Sequence, residues 1–241
     1  VSRRPLVLFD IDGTLCSTEG AGRRAMAQAA DELFGRPDLF EGLSFAGAID
    51  GEIARRALAH AGIPPTDRRV GRLRAAYLRR LVRGLAPGLG RIHPGAGQAV
   101  QGAVRAGAAV GLLTGNWRQG AELKLRHFDL WRLFPAGLGA FGADAPDRLG
   151  LVPVAWRRAW RLGLRPDRIL VVGDTPNDVA CARAGERALG PDGPRVLSVG
   201  VTTGFATEQA LRAARPDLLV ADLDQGWEAL VALLTAPVPR S

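Results

Sequence analysis

The sequence predicts an α/β protein, an open parallel sheet core with an inserted α-helical subdomain. Three observations carry that prediction. Short, wholly apolar runs recur along the chain and end in Gly, Asp or Thr. Helix-like segments separate these runs, as expected for strands buried on both faces and joined by crossovers. One long stretch, between Thr14 and about residue 108, carries helical pattern but no convincing strand.

The strands come in order. Leu6–Phe9 is the first and runs into Asp10-Ile11-Asp12-Gly13-Thr14. Residues 108–113 form a second, running into Thr114-Gly115-Asn116, and 169–172 a third, running into Gly173-Asp174. Two more fall at 196–199 and 218–220, with connecting helices near 95–106, 117–127, 151–162, 177–184 and 207–214. This alternation is the pattern of an open α/β sheet. The segment after Thr14 is too long for a simple crossover. It reads as helices at 21–34, 51–61 and 67–85, broken at Gly35-Arg36-Pro37, Gly62-Ile63-Pro64-Pro65 and 86–90. Its return is near Ile92-His93-Pro94-Gly95, where Pro-Gly opens the next helix. The division expected is therefore a core of 1–15 and 91–241 and a helical insert of 16–90. The tail after Ala236 is expected to fray.

At 241 residues the chain can bury one good core, or a core with a small satellite. No apolar run approaches a membrane span, and Leu6–Phe9 is too short for the core of a signal peptide. Cys16 and Cys181 are far apart and lack metal-site spacing, so they read as reduced thiols of a cytoplasmic protein. The formal charge of +8 invites a nucleic-acid reading. The arginines, however, are scattered on helical stretches without interleaved aromatics, and Lys124 is the only lysine. They are read as solvated faces that would still draw an anionic substrate. His60, His93 and His127 are too dispersed to cluster, and the tryptophans sit among apolar residues and read as packing.

In open parallel sheets, ligands bind beyond the carboxyl ends of the strands, and here three strand tips carry useful chemistry. A carboxylate such as Asp10 is a competent nucleophile toward phosphorus once phosphate charge is neutralised. A second carboxylate two residues on, Asp12, can protonate a leaving oxygen and later activate water. Gly13 lets the chain turn away sharply. Thr114, followed by backbone N–H groups that open a helix, makes an anion cradle with Gly115 and Asn116. Asp174 and Asp178, four apart around a turn, can face one cation, and Mg²⁺ prefers such oxygen ligands. Asn177 is read mainly as a cap for the helix that follows.

The string Asp10-Ile11-Asp12-Gly13-Thr14 after an apolar strand resembles the first motif of the haloacid-dehalogenase superfamily. Thr114-Gly115-Asn116 is similar to its second motif and Gly173-Asp174-Thr175-Pro176-Asn177-Asp178 to its fourth. The helical insert resembles the cap of the phosphoglycolate-phosphatase-like branch. The resemblance implies a Rossmann-like core and a Mg²⁺-dependent phosphatase acting on a small phosphorylated metabolite. Asp10 would be the nucleophile and Asp12 the acid and base. Thr114, Gly115 and Asn116 would hold phosphate. The metal would be held by Asp10, the backbone carbonyl of Asp12, Asp174 and, directly or through water, Asp178. The third motif departs from the pattern, because no Lys-Pro precedes the last helix. Lys124 and Arg148 both remain candidates for the cation beside the nucleophile, with Lys124 slightly favoured as the sole lysine. Segments 20–24 and 45–50 are the expected substrate-facing pieces of the cap. Relatives often carry Gly-Arg-Thr-Asp where this chain has Gly47-Ala48-Ile49-Asp50, and the missing arginine counts against a particular carboxylate-bearing substrate. A β-phosphoglucomutase-like phosphotransferase is an alternative outcome of the same chemistry. A basic nucleic-acid-binding protein on an inactive scaffold is a second, which the intact acids argue against.

Overall fold

A computed structural model describes residues 4–236; the tail expected to fray lies outside them. The central sheet has six strands: β1 (Leu6–Phe9), β4 (Ala109–Leu113), β5 (Gly139–Ala140), β6 (Arg168–Gly173), β7 (Arg195–Val201) and β8 (Leu218–Val220). They are parallel throughout and lie in the order β5-β4-β1-β6-β7-β8. The strand order reverses beside β1, which pairs with β4 on one side and β6 on the other. The tips of those three strands therefore lie together at the switch point, where α/β folds bind their ligands.

Alternation along the strands divides the core into two layers. On β1, Val7 and Phe9 face a cluster with α4 (Ala96–Arg105), α5 (Arg118–His127) and α9 (Trp227–Thr235). Leu6 and Leu8 face the other way, against α6 (Leu151–Arg161) and α7 (Pro176–Leu189). Leu170 and Val172 of β6 join the first layer, Ile169 and Val171 the second.

A third cluster belongs to α1 (Ala21–Phe34), α2 (Asp50–His60) and α3 (Asp67–Gly84), with Met26, Leu58, Leu73, Tyr77 and Leu81 buried inside it. The core contributes Trp117 to this cluster. Where the chain leaves and re-enters the core, β2 (Cys16–Ser17) pairs antiparallel with β3 (Arg91–Ile92).

Strands of two residues, β2, β3 and β5, have no period to read and escape the sequence pattern. Helix α9 escaped it as well. Helix α7 runs on past 184 to Leu189 before Gly190 ends it. Trp160 is 44% exposed and stacks on Arg165 rather than packing into the core. Cys16 and Cys181 are both buried free thiols. Among the described residues, no helix is long and apolar enough to cross a membrane.

Candidate active site

The site begins where β1 stops. Asp10 N–H donates to Val172 O at 2.9 Å, extending the ladder by one residue. The chain then folds back, with Leu15 N–H and Cys16 N–H both donating to Ile11 O. Gly13 has φ 85°, and a Cβ there would lie 2.3 Å from Asp174 Oδ2. Only glycine permits both that backbone and that approach. At the tip of β4, Thr114 is buried and its Oγ1 accepts from Asn116 Nδ2 at 2.8 Å. At the tip of β6, Asp174 is fully buried. Its Oδ2 accepts from Phe205 N–H at 2.7 Å and its Oδ1 from the Thr14 hydroxyl at 3.3 Å.

Asp10, Asp174 and Asp178 come together, each offering a carboxylate oxygen within 4.8 Å of the others. Arg148 enters this group from the short 3₁₀ turn Arg148–Gly150 ahead of α6. Its Nη2 lies 3.0 Å from Asp10 Oδ2 and donates to Asp178 Oδ1. Asp178 Oδ2 meanwhile accepts from the N–H and hydroxyl of Thr175, closing the first turn of α7. The sequence favours Lys124 slightly as the cation beside Asp10, with Arg148 open; in the structure the cation beside Asp10 is Arg148. Lys124 projects from α5 to Asp12 instead, with Nζ 2.6 Å from Asp12 Oδ2 and 2.7 Å from Asn116 Oδ1. The Asn116 side-chain amide also donates to Asp12 Oδ2 at 2.8 Å. Asn116 thus spends its side chain on protein partners, although it lines the cavity described below.

Burial sets the electrostatics. It pushes the carboxyl of Asp10 up to about 6, against the pull of Arg148, and Asp178 and Asp12 add to the rise. Burial, Asp10 and Asp178 together push Asp174 up to about 8. Burial also favours the neutral form of both cations, but their acid neighbours outweigh it and both are held more firmly protonated than usual. With all three carboxylates ionised, one guanidinium would leave two negative charges, which a divalent cation would balance. The donors are all oxygen, as Mg²⁺ demands. The residues fit such an ion.

The sign of the pH effect follows. An unfolded aspartate titrates near 3.8, whereas folded Asp174 holds its proton to about 8. Between these values the folded state binds more protons than the unfolded one, so stability falls as pH rises. The contribution is complete below about 3.8 and is lost as pH passes about 8. Urea midpoints measured in chelator are expected to decline over that range. Mg²⁺ should raise the unfolding free energy more at pH 8 than at pH 5, by about 1.4 kcal/mol for each unit of relieved shift. An equal increment at both values would mean that the ion does not bind among these acids.

A cavity of about 440 Å³ opens above the cluster, lined on one side by Asp10, Asp12, Thr114, Gly115 and Arg148. Arg23, Met26, Phe45, Ile53 and Tyr77 from the helical insert form the other side. Glu19 and Asp50 also line it. Asp50 is buried, and its Oδ2 accepts from Trp117 N–H at 2.8 Å while its own N–H donates to Gly115 O at 2.8 Å. It stitches α2 to the Thr114 loop, and burial lifts its carboxyl to about 6 against the pull of Lys124. The sequence reading missed the loop after β7. Thr203 Oγ1 donates to Gly13 O at 2.6 Å, and Phe205 anchors Asp174 and lines the cavity. The signal was present, since an apolar strand running into Thr202-Thr203-Gly204 repeats the pattern of the other tips.

A doubly wound sheet with acids gathered at its switch point and a helical insert above them defines a class of Rossmann-like enzyme. The sequence profile of haloacid dehalogenase-like hydrolases matches residues 5–185, and a second HAD-hydrolase-like profile matches 151–226. The chain belongs to the haloacid dehalogenase-like hydrolase family. It is 29% identical to "Probable phosphatase IndB" of Dickeya dadantii over 245 residues, 98% of either chain. Among solved structures, it resembles CbbY of Rhodobacter sphaeroides in complex with phosphate, with TM-score 0.69 and 23% identity over 92% of this chain and 95% of that one. It also resembles a predicted phosphoglycolate phosphatase of Haemophilus somnus, with TM-score 0.66 and 19% identity over 95% and 99% of the two chains.

Proposed function

We propose that the chain is a Mg²⁺-dependent phosphatase that hydrolyses a small phosphate monoester through an aspartyl-phosphate on Asp10. One observation carries the reading above the rest. A buried carboxylate at a strand tip faces a cavity with a guanidinium 3.0 Å away and a second carboxylate two residues on. The name of the Dickeya relative points the same way.

Asp10 attacks phosphorus, and the bond from phosphorus to the ester oxygen breaks. Asp12 gives its proton to that departing oxygen. Water then attacks the phosphorus of the acyl phosphate, Asp12 takes its proton, and inorganic phosphate leaves with Asp10 restored. Thr114 and the Gly115 amide hold the oxygens that do not transfer, and Arg148 orients Asp10 and offsets charge. A bound Mg²⁺, held by Asp10, the Asp12 carbonyl and Asp174 with Asp178 nearby, would neutralise phosphate charge. Segment 16–90 serves as a cap that excludes water and selects the leaving group. The cavity of about 440 Å³ admits a phosphate with an attached group of several carbons.

The test is phosphate release from a panel of phosphoglycolate, sugar phosphates and nucleoside monophosphates, with Mg²⁺ or with chelator. Release from at least one ester, lost in chelator, is the expected result. Phosphate passed to a sugar with no net release would identify a mutase. No turnover, with steeply salt-dependent binding to DNA or RNA, would replace the enzyme reading altogether.

A further inference from the structure

Lys124 has no part in the reaction as just described, yet it is among the most completely enclosed charges in the protein. It is the only lysine in a chain whose Lys and Arg number 32. It is 5% exposed, about two turns along α5, and its ammonium reaches Asp12 Oδ2 at 2.6 Å and Asn116 Oδ1 at 2.7 Å. Asn116 completes the contact by donating to both Asp12 and Thr114. Asp12 is thus held from two sides by residues of one loop and one helix.

The space around the ammonium is tailored by glycine. A Cβ on Gly22 of α1 would come within 3.3 Å of Lys124 Nζ and 3.5 Å of its Cε. A Cβ on Gly120, one turn before Lys124, would meet the Tyr77 hydroxyl of α3 at 3.1 Å. Tyr77 is itself buried. The wall of the compartment is therefore built by the helical insert, while its floor is the core. A planar guanidinium is wider than an ammonium and carries its donors in a fixed fork. A compartment bounded this closely explains why lysine stands here in a chain that uses arginine at every other basic position of the Lys/Arg pair.

We propose that Lys124, with Asn116, is the positioning residue for Asp12, holding that carboxylate where it can serve the departing oxygen and the attacking water. This rests on the phosphatase reading and adds to it a cavity-lining residue whose ammonium is paired with Asp12 and Asn116, while Asp10 is paired with Arg148. Binding of the phosphate is assigned to Thr114 and the Gly115 amide, with charge offset by Arg148, so removing Lys124 should leave ground-state affinity largely in place. What it should remove is the alignment on which proton transfer depends, and misplacement of a reacting group by a fraction of a bond length is costly.

The experiment compares Lys124→Met with wild type on an alkyl phosphate that the protein turns over and on p-nitrophenyl phosphate. The alkyl alkoxide needs a proton to leave, whereas p-nitrophenolate does not. For the alkyl ester, kcat/KM is expected to fall about 100-fold or more, the usual scale of a general acid. For the aryl ester it should stay within about fivefold, because kcat/KM reports only events up to departure of the first product. Hydrolysis of the aspartyl-phosphate also needs Asp12, so the variant should show a burst of p-nitrophenolate followed by slow turnover. Lys124→Arg should not rescue, and Lys124→Gln carries the same comparison should Lys124→Met not fold. Equal losses on the two esters, a rise in KM with kcat intact, or unchanged kinetics would each overturn the positioning role while leaving the phosphatase reading standing. Absence of phosphate release by the wild-type protein from every ester would overturn both.

Discussion

Asp10→Asn is expected to lower kcat by about 10⁴-fold or more, the scale seen when a covalent nucleophile is removed, while the protein stays folded. The substitution preserves volume and planarity. An amide cannot displace an alkoxide at phosphorus, so no acyl phosphate forms. Stability should not suffer, and the reason is the electrostatics of the cluster. Asp10 titrates near 6 because burial, Asp178 and Asp12 outweigh the attraction of Arg148. Its charge at neutral pH is thus unfavourable without a cation, and Asn removes it. Arg148 keeps Asp178 as a partner. Acid quench during turnover should trap phosphate on the wild-type chain and none on the variant. The urea midpoint in chelator should match or exceed that of wild type. Normal turnover by Asp10→Asn would sink the covalent mechanism.

What the sequence could disclose follows from how locally each feature is encoded. The tips of β1, β4 and β6 are legible because an apolar strand running into Asp or Thr is written in consecutive residues. Their convergence follows from topology, since the switch point beside β1 gathers all three. The two cations were not separable from sequence, because Arg148 and Lys124 reach the site from different elements and only distances divide them. Arg148 is delivered by a three-residue 3₁₀ turn, which has no hydrophobic period. Lys124 is delivered by the room at Gly22 and Gly120, and nothing in a single sequence marks those glycines as absent side chains. From sequence, Asp50 reads equally as a helix-surface residue or as a substrate contact of the cap. Its bond to Trp117 N–H depends on how the insert packs on the core, a long-range contact that local pattern does not encode.

Arg148→Met is expected to destabilise the protein in chelator by about 3–5 kcal/mol, the cost of leaving buried charge without its partner, and to abolish turnover. The side chain is 6% exposed and contacts both Asp10 and Asp178. Methionine fills much of the same volume, so the loss would come from charge rather than from a void. Three carboxylates would then share the pocket with nothing opposing them. Two further measurements separate this account from simple misfolding. Mg²⁺ should recover more stability in the variant than in wild type, because the ion then offsets the whole of the cluster's charge. Adding Asp178→Asn to Arg148→Met should recover part of the loss, because it withdraws one of the stranded acids, so the two changes would couple strongly. Arg148→Lys should fold and retain part of the activity, since one nitrogen, Nη2, meets both Asp10 and Asp178 and an ammonium can stand in for it, though without the planar guanidinium's fixed aim. If Arg148→Met proved as stable as wild type in chelator, the guanidinium would not be the counter-charge on which this acid cluster depends.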